Sequence, residues 1–289
     1  MNLDSLLTGI VYISLFFILF ALGKFVYKLL HRELDLNREM LENDNPAISL
    51  AVTGYYAGLL LSIGAAIVGP SAGFVPDLID LVIYGVLSII LLNLSSFICG
   101  LFILTKFKIN DELLRDRNQG TGAVVFGVLL ASGFVIYGSV SGTGGTVWTA
   151  IGFWALGQLL LVVAAFLYNF ILPFDLHMEI EKDNVPAGVS FAGALIAMGI
   201  VVGLAAEGDF VSWSESLPTF LAYALIGLVS LPLLRFLTDW LLLPGVRLSD
   251  EIVGLKPDKS REKRGPNLGA AYVEAFSYIA GAYIIYWCI

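Results

Sequence analysis

Histidine and cysteine are nearly missing from this sequence: each occurs twice in 289 residues. Cys99 and Cys288 both lie in apolar stretches, so the chain has neither a disulfide framework nor a zinc-type spacing, and both read as small buried residues. His31 and His177 fall in polar connectors and look ordinary. No H-E-x-x-H, P-loop or Gly-x-Ser-x-Gly pattern occurs. The sequence therefore offers no catalytic residue, no metal ligand set and no cofactor motif, and the expectation is that the protein is not an enzyme. Charge is also scarce. Only 14% of the residues are charged, against about 25% in ordinary soluble domains. Nothing in that small set suggests a nucleic-acid partner.

Apolar residues fill the space. They make up 58% of the chain and give a mean hydropathy of +0.85, more than one buried core can absorb, so the lipid bilayer is the partner for most of them. Apolar runs near the ~20 residues needed to span a bilayer lie at 6–30, 47–68, 78–105, 121–141, 147–172, 187–206, 217–243 and 268–288. Asp4 precedes the first run, whereas Lys24 and Lys28 close it. A cleaved signal carries its positive charge ahead of the apolar stretch, so this order predicts a retained helix.

The connectors alternate in what they lack. Those around Gly69–Pro76, Ser141–Thr146 and Glu207–Ser216 carry no base. All 16 Lys and Arg fall in the other connectors or the helix ends adjoining them. By the positive-inside rule that set faces the cytoplasm, with both termini on the outer, periplasmic side of an inner membrane.

A shift of 139 residues aligns Glu42–Leu114 with Glu181–Val253 without a gap, superposing Asn45 on Asn184, Gly54 on Gly193 and Asp111 on Asp250. The expected fold is all-α: eight transmembrane helices in two parallel four-helix halves, 1–142 and 147–289. Parallel halves follow from the even number of helices in each. Inside each half a hairpin repeats, at 6–68, 78–141, 147–206 and 217–288. Four hairpins could surround a pseudo-fourfold centre or pack pairwise, and a homo-oligomer is left open.

Each hairpin carries acids ahead of an asparagine: Glu42 before Asn45, Asp111 and Glu112 before Asn118, Glu181 before Asn184, Asp250 and Glu251 before Asn267. An asparagine there caps the next helix, whose first N–H groups have no partner in lipid; the acids form a cytoplasmic cluster. Small residues follow at four-residue spacing, in the pairs Gly54/Gly58, Gly127/Ala131 and Gly193/Ala197, and predict close helix packing. The fourth copy departs, with Phe276 at the glycine position.

That copy also holds the ionisable groups deepest in a span. Glu274 follows Asn267 by seven residues, about 10 Å into the membrane at the helical rise. Arg235 lies at similar depth, and Asp239 follows it at the spacing that puts two side chains on one helix face. Their counterparts in the other copies are uncharged: Val52, Val125 and Phe191 for Glu274, Ser96 for Arg235 and Gly100 for Asp239. Charges inside a span are costly unless paired or wet. The three predict either a structural ion-pair network or an ion or proton site. Asn93 and Gln158 predict interhelical hydrogen bonds, Pro232 a kink, and Arg261, Lys263 and Arg264 a topogenic basic run.

The acid–Asn–Gly unit, carried by Glu42-Asn43-Asp44-Asn45 with Gly54, Asp111-Glu112 with Asn118 and Gly127, and Glu181-Lys182-Asp183-Asn184 with Gly193, resembles the YjfL-like bacterial inner-membrane family, domain of unknown function 350. The resemblance implies an all-helical membrane protein whose relatives are associated with envelope-stress gene neighbourhoods. Two functions are expected. One is transport or permeation of a small cation or proton through the Glu274 site. The other is a non-transporting scaffold recruiting a cytoplasmic protein partner through the acidic loops.

Overall fold

The computed structural model describes residues 3–33, 35–68, 71–254 and 265–288. The basic run Arg261, Lys263 and Arg264 lies outside the described residues. Among the described residues eight helices are long and apolar enough to cross a membrane: α1 (Leu3–Leu30), α3 (Pro46–Gly64), α4 (Phe74–Ile98), α6 (Gln119–Val140), α7 (Val147–Ile171), α9 (Val185–Ala206), α10 (Trp213–Leu237) and α12 (Leu268–Cys288). Helices α4 and α10 begin four residues before their apolar runs and take Asp77 and Glu215 into their first turns. An acid is favourable at the positive end of a helix dipole, so hydropathy underestimates these helices at that end.

Four short helices interrupt the charged connectors: α2 (Leu36–Leu41), α5 (Ile109–Leu114), α8 (Leu176–Glu181) and α11 (Leu248–Val253). Each plugs into the bundle by one or two buried apolar residues, Leu36, Leu113, Leu176 with Ile180, and Leu248 with Ile252. Asp35 and Asp175 cap α2 and α8 by accepting from the N–H groups of Arg38 and Met178. At the end of α4 the backbone widens into a π-turn, Cys99–Ile103, and at the end of α10 into another, Thr238–Leu242. The two turns are related by the offset of 139 residues that relates the halves.

The hairpins form neither a ring nor separate pairs. Helices α3, α6, α9 and α12 stand side by side in that order as an inner row. The second row is α1, α4, α7 and α10: α4 fits between α3 and α6, α7 between α6 and α9, α10 between α9 and α12. Backbone contact holds the inner row together. The glycine nine residues after each asparagine meets the residue eight after the next one: Gly54 against Phe126, Gly127 against Ala192, Gly193 against Ala275. A Cβ on Gly127 would sit 2.7 Å from the Cα of Ala192, too close for any side chain. Gly58 meets the carbonyl of Leu129, and Ala131 packs against Gly199; Ala197 is buried. Further glycines absent from the sequence pattern do the same work, notably Gly138 on Gly203 and Gly188 on Gly120. Phe276 has a reason in the packing: among the described residues no inner helix lies against that flank of α12, and its side chain is 65% exposed.

Polar groups inside the spans bond across helices. Gln158 pairs with Ser132 at 3.3 Å, Asn93 donates to the Tyr55 hydroxyl at 2.9 Å, and Trp154 donates to Ser95 at 3.0 Å. Helix α10 continues through Pro232 to Leu237.

Candidate functional site

Glu274 is completely buried, and its carboxylate is in contact with Arg235, itself 8% exposed. The pair is built from five elements. Arg235 comes from the last turn of α10 and Glu274 from the second turn of α12; Tyr168 on α7 donates to Oε1 of Glu274 at 3.3 Å. The other arm of the guanidinium donates to Ser249 of α11 at 2.9 Å, and the Tyr168 ring lies 5.8 Å from the guanidinium carbon. Ser190 of α9 and Tyr278, one turn beyond Glu274, complete the shell. Tyr168 stacks on Phe191 at 5.3 Å and meets Tyr278 edge-on at 6.0 Å. Oε2 of Glu274, the Ser190 hydroxyl and the Tyr278 hydroxyl are each buried without a hydrogen-bond partner.

Asp239 does not join this cluster, which corrects the expectation from its spacing. The α-helix ends at Leu237, and the π-turn that follows breaks the register between positions 235 and 239. Asp239 accepts instead from the backbone N–H of Leu248 at 2.7 Å and so anchors the entry to α11. In the first half the corresponding place holds Tyr27, Ser96, Val125 and Leu129, around a void of about 20 Å³.

The four asparagines each accept at a helix start: Asn45 from Ala47 and Ile48, Asn118 from Thr121, Asn184 from Ala187, Asn267 from Ala270. Their amide groups do two further things. Each donates to one glutamate whose carbonyl also takes the asparagine's backbone N–H: Glu39, Glu112, Glu179 and Glu251. The first three also reach the next hairpin, donating to the carbonyls of Leu113, Ile180 and Ile252. Glu42 and Glu181 are exposed, and the clasp uses Glu39 and Glu179, three and two residues earlier. Asp111 is exposed and Asp250 half-buried, whereas Glu112 is buried, and desolvation pushes its carboxyl above the usual range. The missed signal was an acid about six residues before each of the first three asparagines.

At the end without bases, a cleft of about 770 Å³ opens between the two rows and both halves. Five carboxylates line it: Asp77, Asp80, Glu207, Asp209 and Glu215. Two of them tie the rim. Asp77 accepts from Ser71, from the N–H of Ala72 and from Tyr12; Asp209 accepts from the N–H and hydroxyl of Thr143, at 2.8 and 2.7 Å. Those bonds hold the Asp209 carboxyl below its ordinary range. Among the described residues no hydrogen bond or ion pair engages the carboxylates of Asp80 or Glu215. The cleft reaches Tyr84 and Phe153 and stops there, without extending to Glu274.

Comparison with known proteins follows the same division of the chain. The family model described as Domain of Unknown Function (DUF350) matches twice, over residues 1–140 and 143–289. A UPF0719 transmembrane protein of Aquifex aeolicus (strain VF5) is 26% identical over 279 residues, covering 94% of this chain and 96% of that protein. No solved structure matches. The helical hairpins, their repetition and the two family matches together make the chain a multi-pass membrane protein that belongs to the DUF350 family.

Proposed function

We propose that the protein moves protons across its membrane, with Glu274 as the protonatable group and the acidic cleft as the entrance. The supporting observation is a fully buried carboxylate in a membrane span whose Oε2 has no partner, beside two unpartnered hydroxyls. The fold does not demand it, because three of the four hairpins put an apolar side chain there. Burial also narrows the cargo. A hydrated cation has no room at a carboxylate with 0% exposure, and a proton needs none. Five carboxylates around the cleft, with no base among its lining residues, concentrate protons at the opposite end. Between Phe153 and Tyr278 the helices are packed, so the proposal includes a movement of the last hairpin that wets the pair. The same reading puts the basic end in the bacterial cytoplasm and both termini outside.

The test is proton uptake by proteoliposomes loaded with a pH-sensitive dye. The double variant Arg235→Met/Glu274→Met removes the titratable pair without leaving one charge behind, and it abolishes uptake; Asp239→Asn retains it. Uptake at the wild-type rate in the double variant, or none in well-folded wild-type protein, overturns the proposal.

The second reading is the scaffold that recruits a cytoplasmic protein. Its favouring observation is the exposure of Glu42, Asp111 and Glu181 at the basic end, next to Leu41 at 80% exposure. Neutralising these three acids leaves the glutamate–asparagine clasps intact, and a partner lost from pull-downs on that change supports it.

A further inference from the structure

Water comes closest to the Glu274 site from the basic end. Glu274 has no exposed surface, and what exposure the pair has belongs to Arg235, at 8%. From the other end the cleft stops at Phe153, which packs on the fully buried Phe220 at 5.4 Å. Phe220 precedes Arg235 on α10 by fifteen residues, about 22 Å at the helical rise. At the basic end the six-residue helix α11 covers Arg235, and its Ser249 takes the outer arm of the guanidinium at 2.9 Å.

The first half has the same roof over an uncharged place. By the offset of 139 residues Ser249 corresponds to Asn110 of α5, Ile252 to Leu113 and Arg235 to Ser96. Asn110, Leu113 and Ser96 line the void of about 20 Å³ together with Val125, which stands at the Glu274 position of its hairpin. A short helix over this place is therefore part of the repeat, and a charge pair beneath it is not. The other hydrogen bonds on α11 join Leu248 to Asp239, Ile252 to Asn184 and Glu251 to Asn267. Among the described residues none of these three partners bonds to Arg235 or Glu274. Only the Ser249 bond depends on what the pair does.

We infer that Ser249 is the positioning residue that latches α11 over the pair while Glu274 is charged, and frees it when Glu274 takes up a proton. The inference rests on the reading of Glu274 as the protonatable group. Oε2, the carboxyl oxygen without a partner, receives the proton. The neutral acid then leaves Arg235 buried with no counter-charge, which is costly. The other titratable groups facing Glu274 are Tyr168 and Tyr278, α9 and α11 present Ser190 and Ser249 to the pair, and Asp239 bonds elsewhere. Arg235 lies in the last turn of α10, so its long side chain reaches water by turning toward the basic end. That turn breaks the Ser249 bond, unlatches α11 and admits water. Loss of the proton to that water restores the carboxylate, which draws Arg235 back. The site thus opens to the basic end only when it holds a proton to release.

Thiol accessibility tests this, with Ile252→Cys in a Cys288→Ser background that removes the exposed cysteine. Ile252 plugs α11 into the bundle at 1% exposure, so a water-soluble maleimide reaches position 252 only when α11 lifts. Leu113→Cys, at the equivalent position of α5, is the control. Adding Ser249→Ala is expected to speed labelling at position 252 about tenfold, the worth of one hydrogen bond to a charged group. Glu274→Gln, which cannot carry the charge, speeds it at least as much, and neither change alters the rate at position 113. Ser249→Thr keeps the hydroxyl and restores the wild-type rate. In the Arg235→Met/Glu274→Met background Ser249→Ala has no effect, because no guanidinium remains for it to hold. An unchanged rate at position 252 on Ser249→Ala or Glu274→Gln overturns the inference, as does a Ser249→Ala effect that persists in that background. The readout needs no flux, so the two readings fail separately. Labelling that follows the Glu274 charge in protein that takes up no protons removes the transport reading and supports the latch; proton uptake with unchanged labelling removes the latch alone.

Discussion

Replacing Arg235 by methionine removes one half of the ion pair and leaves Glu274 with no access to water. Losing one partner of a buried pair costs about 3–5 kcal/mol, because the remaining charge is stranded. This site belongs at the upper part of that range. Glu274 has no exposed surface, and the hydroxyls around it, those of Tyr168, Ser190 and Tyr278, can donate hydrogen bonds but bring no compensating positive charge. Glu274→Met strands Arg235 instead, at 8% exposure, and the loss is smaller because Ser249 still holds one guanidinium arm. The double variant Arg235→Met/Glu274→Met is the informative one. Replacing both charges by apolar side chains of similar volume is often neutral or stabilising, so it is expected within about 1 kcal/mol of wild type. The coupling between the two positions is the sum of the single losses less that of the double, and on these figures it is about 6 kcal/mol or more.

Equilibrium unfolding in mixed detergent and denaturant, followed by tryptophan fluorescence, measures all three variants. Arg235→Lys adds a control, because a lysine lacks the planar fork that reaches Glu274 and Ser249 together; it restores only part of the loss. Single variants within about 1 kcal/mol of wild type would refute the reasoning, since they would mean that water reaches the pair. A double variant as unstable as the two singles added together would refute it as well, by removing the coupling. The double variant also separates structure from function: it keeps the fold while removing the titratable group on which proton uptake is proposed to depend.

Three other outcomes follow from the packing and the loops. Gly193→Leu drives a side chain into Ala275 and is expected to cost at least about 1–3 kcal/mol, whereas Phe276→Leu, at the equivalent position, is near neutral because nothing packs there; thermal melts in detergent compare the two. Asn118→Ala breaks the helix cap, the bond to Glu112 and the bridge to Ile180, so it is expected to lower stability by more than the ~1 kcal/mol typical of a cap alone, and by more than Asn267→Ala, which has no bridge to lose. The Asp209 clasp gives a pH dependence. Its folded pKa is depressed below the ordinary 3.8, so its contribution is complete above that value and is lost as pH falls through the folded pKa. Hydrogen exchange at the Thr143 amide should rise under such acid conditions, and Asp209→Asn should flatten that rise.

The eight spans were legible because lipid imposes a length and a composition on each helix, and the hairpin unit because it is repeated. Which helix neighbours which was not legible. Gly54, Gly127 and Gly193 announce a close contact, but their spacing is the same for a ring, for pairs or for a row. Phe276 held the answer, since a glycine position can become phenylalanine only where no inner helix packs on that flank. Helices α2, α5, α8 and α11 escaped notice because six residues are too few to show a helical period against a charged background. The grouping of Arg235 with Asp239 failed for a local reason. Spacing arguments assume an unbroken α-helix, and the π-turn begins between the two residues. Glu274 and Arg235 were found because a charge inside an apolar run is visible at once, but Tyr168, Ser190 and Tyr278 gave no signal among other polar and aromatic residues.

The row also explains why the charges lie in an end hairpin and not in one of the two middle ones. Helix α9 is pinned on both flanks by backbone contact, and 78% of its span is buried. Helix α12 touches an inner neighbour on one flank alone and is 39% buried; α10 is 28% buried. A carboxylate in α6 or α9 could be wetted only by separating helices locked on both sides. Moving α10 and α12 outward breaks one backbone contact, Gly193 on Ala275, with side-chain contacts at Gly227 and Gly152, and leaves the α3–α6–α9 contacts intact. Amide exchange should therefore be faster along the buried face of α12, at Ala271, Glu274 and Tyr278, than at Gly188, Ala192 and Gly199 of α9. Protonating or removing Glu274 should widen that difference, because the charge pair ties α12 to α10. Equal protection in the two helices would mean that α12 is as fixed as α9, and the pair would then be a structural rivet with no opening to serve.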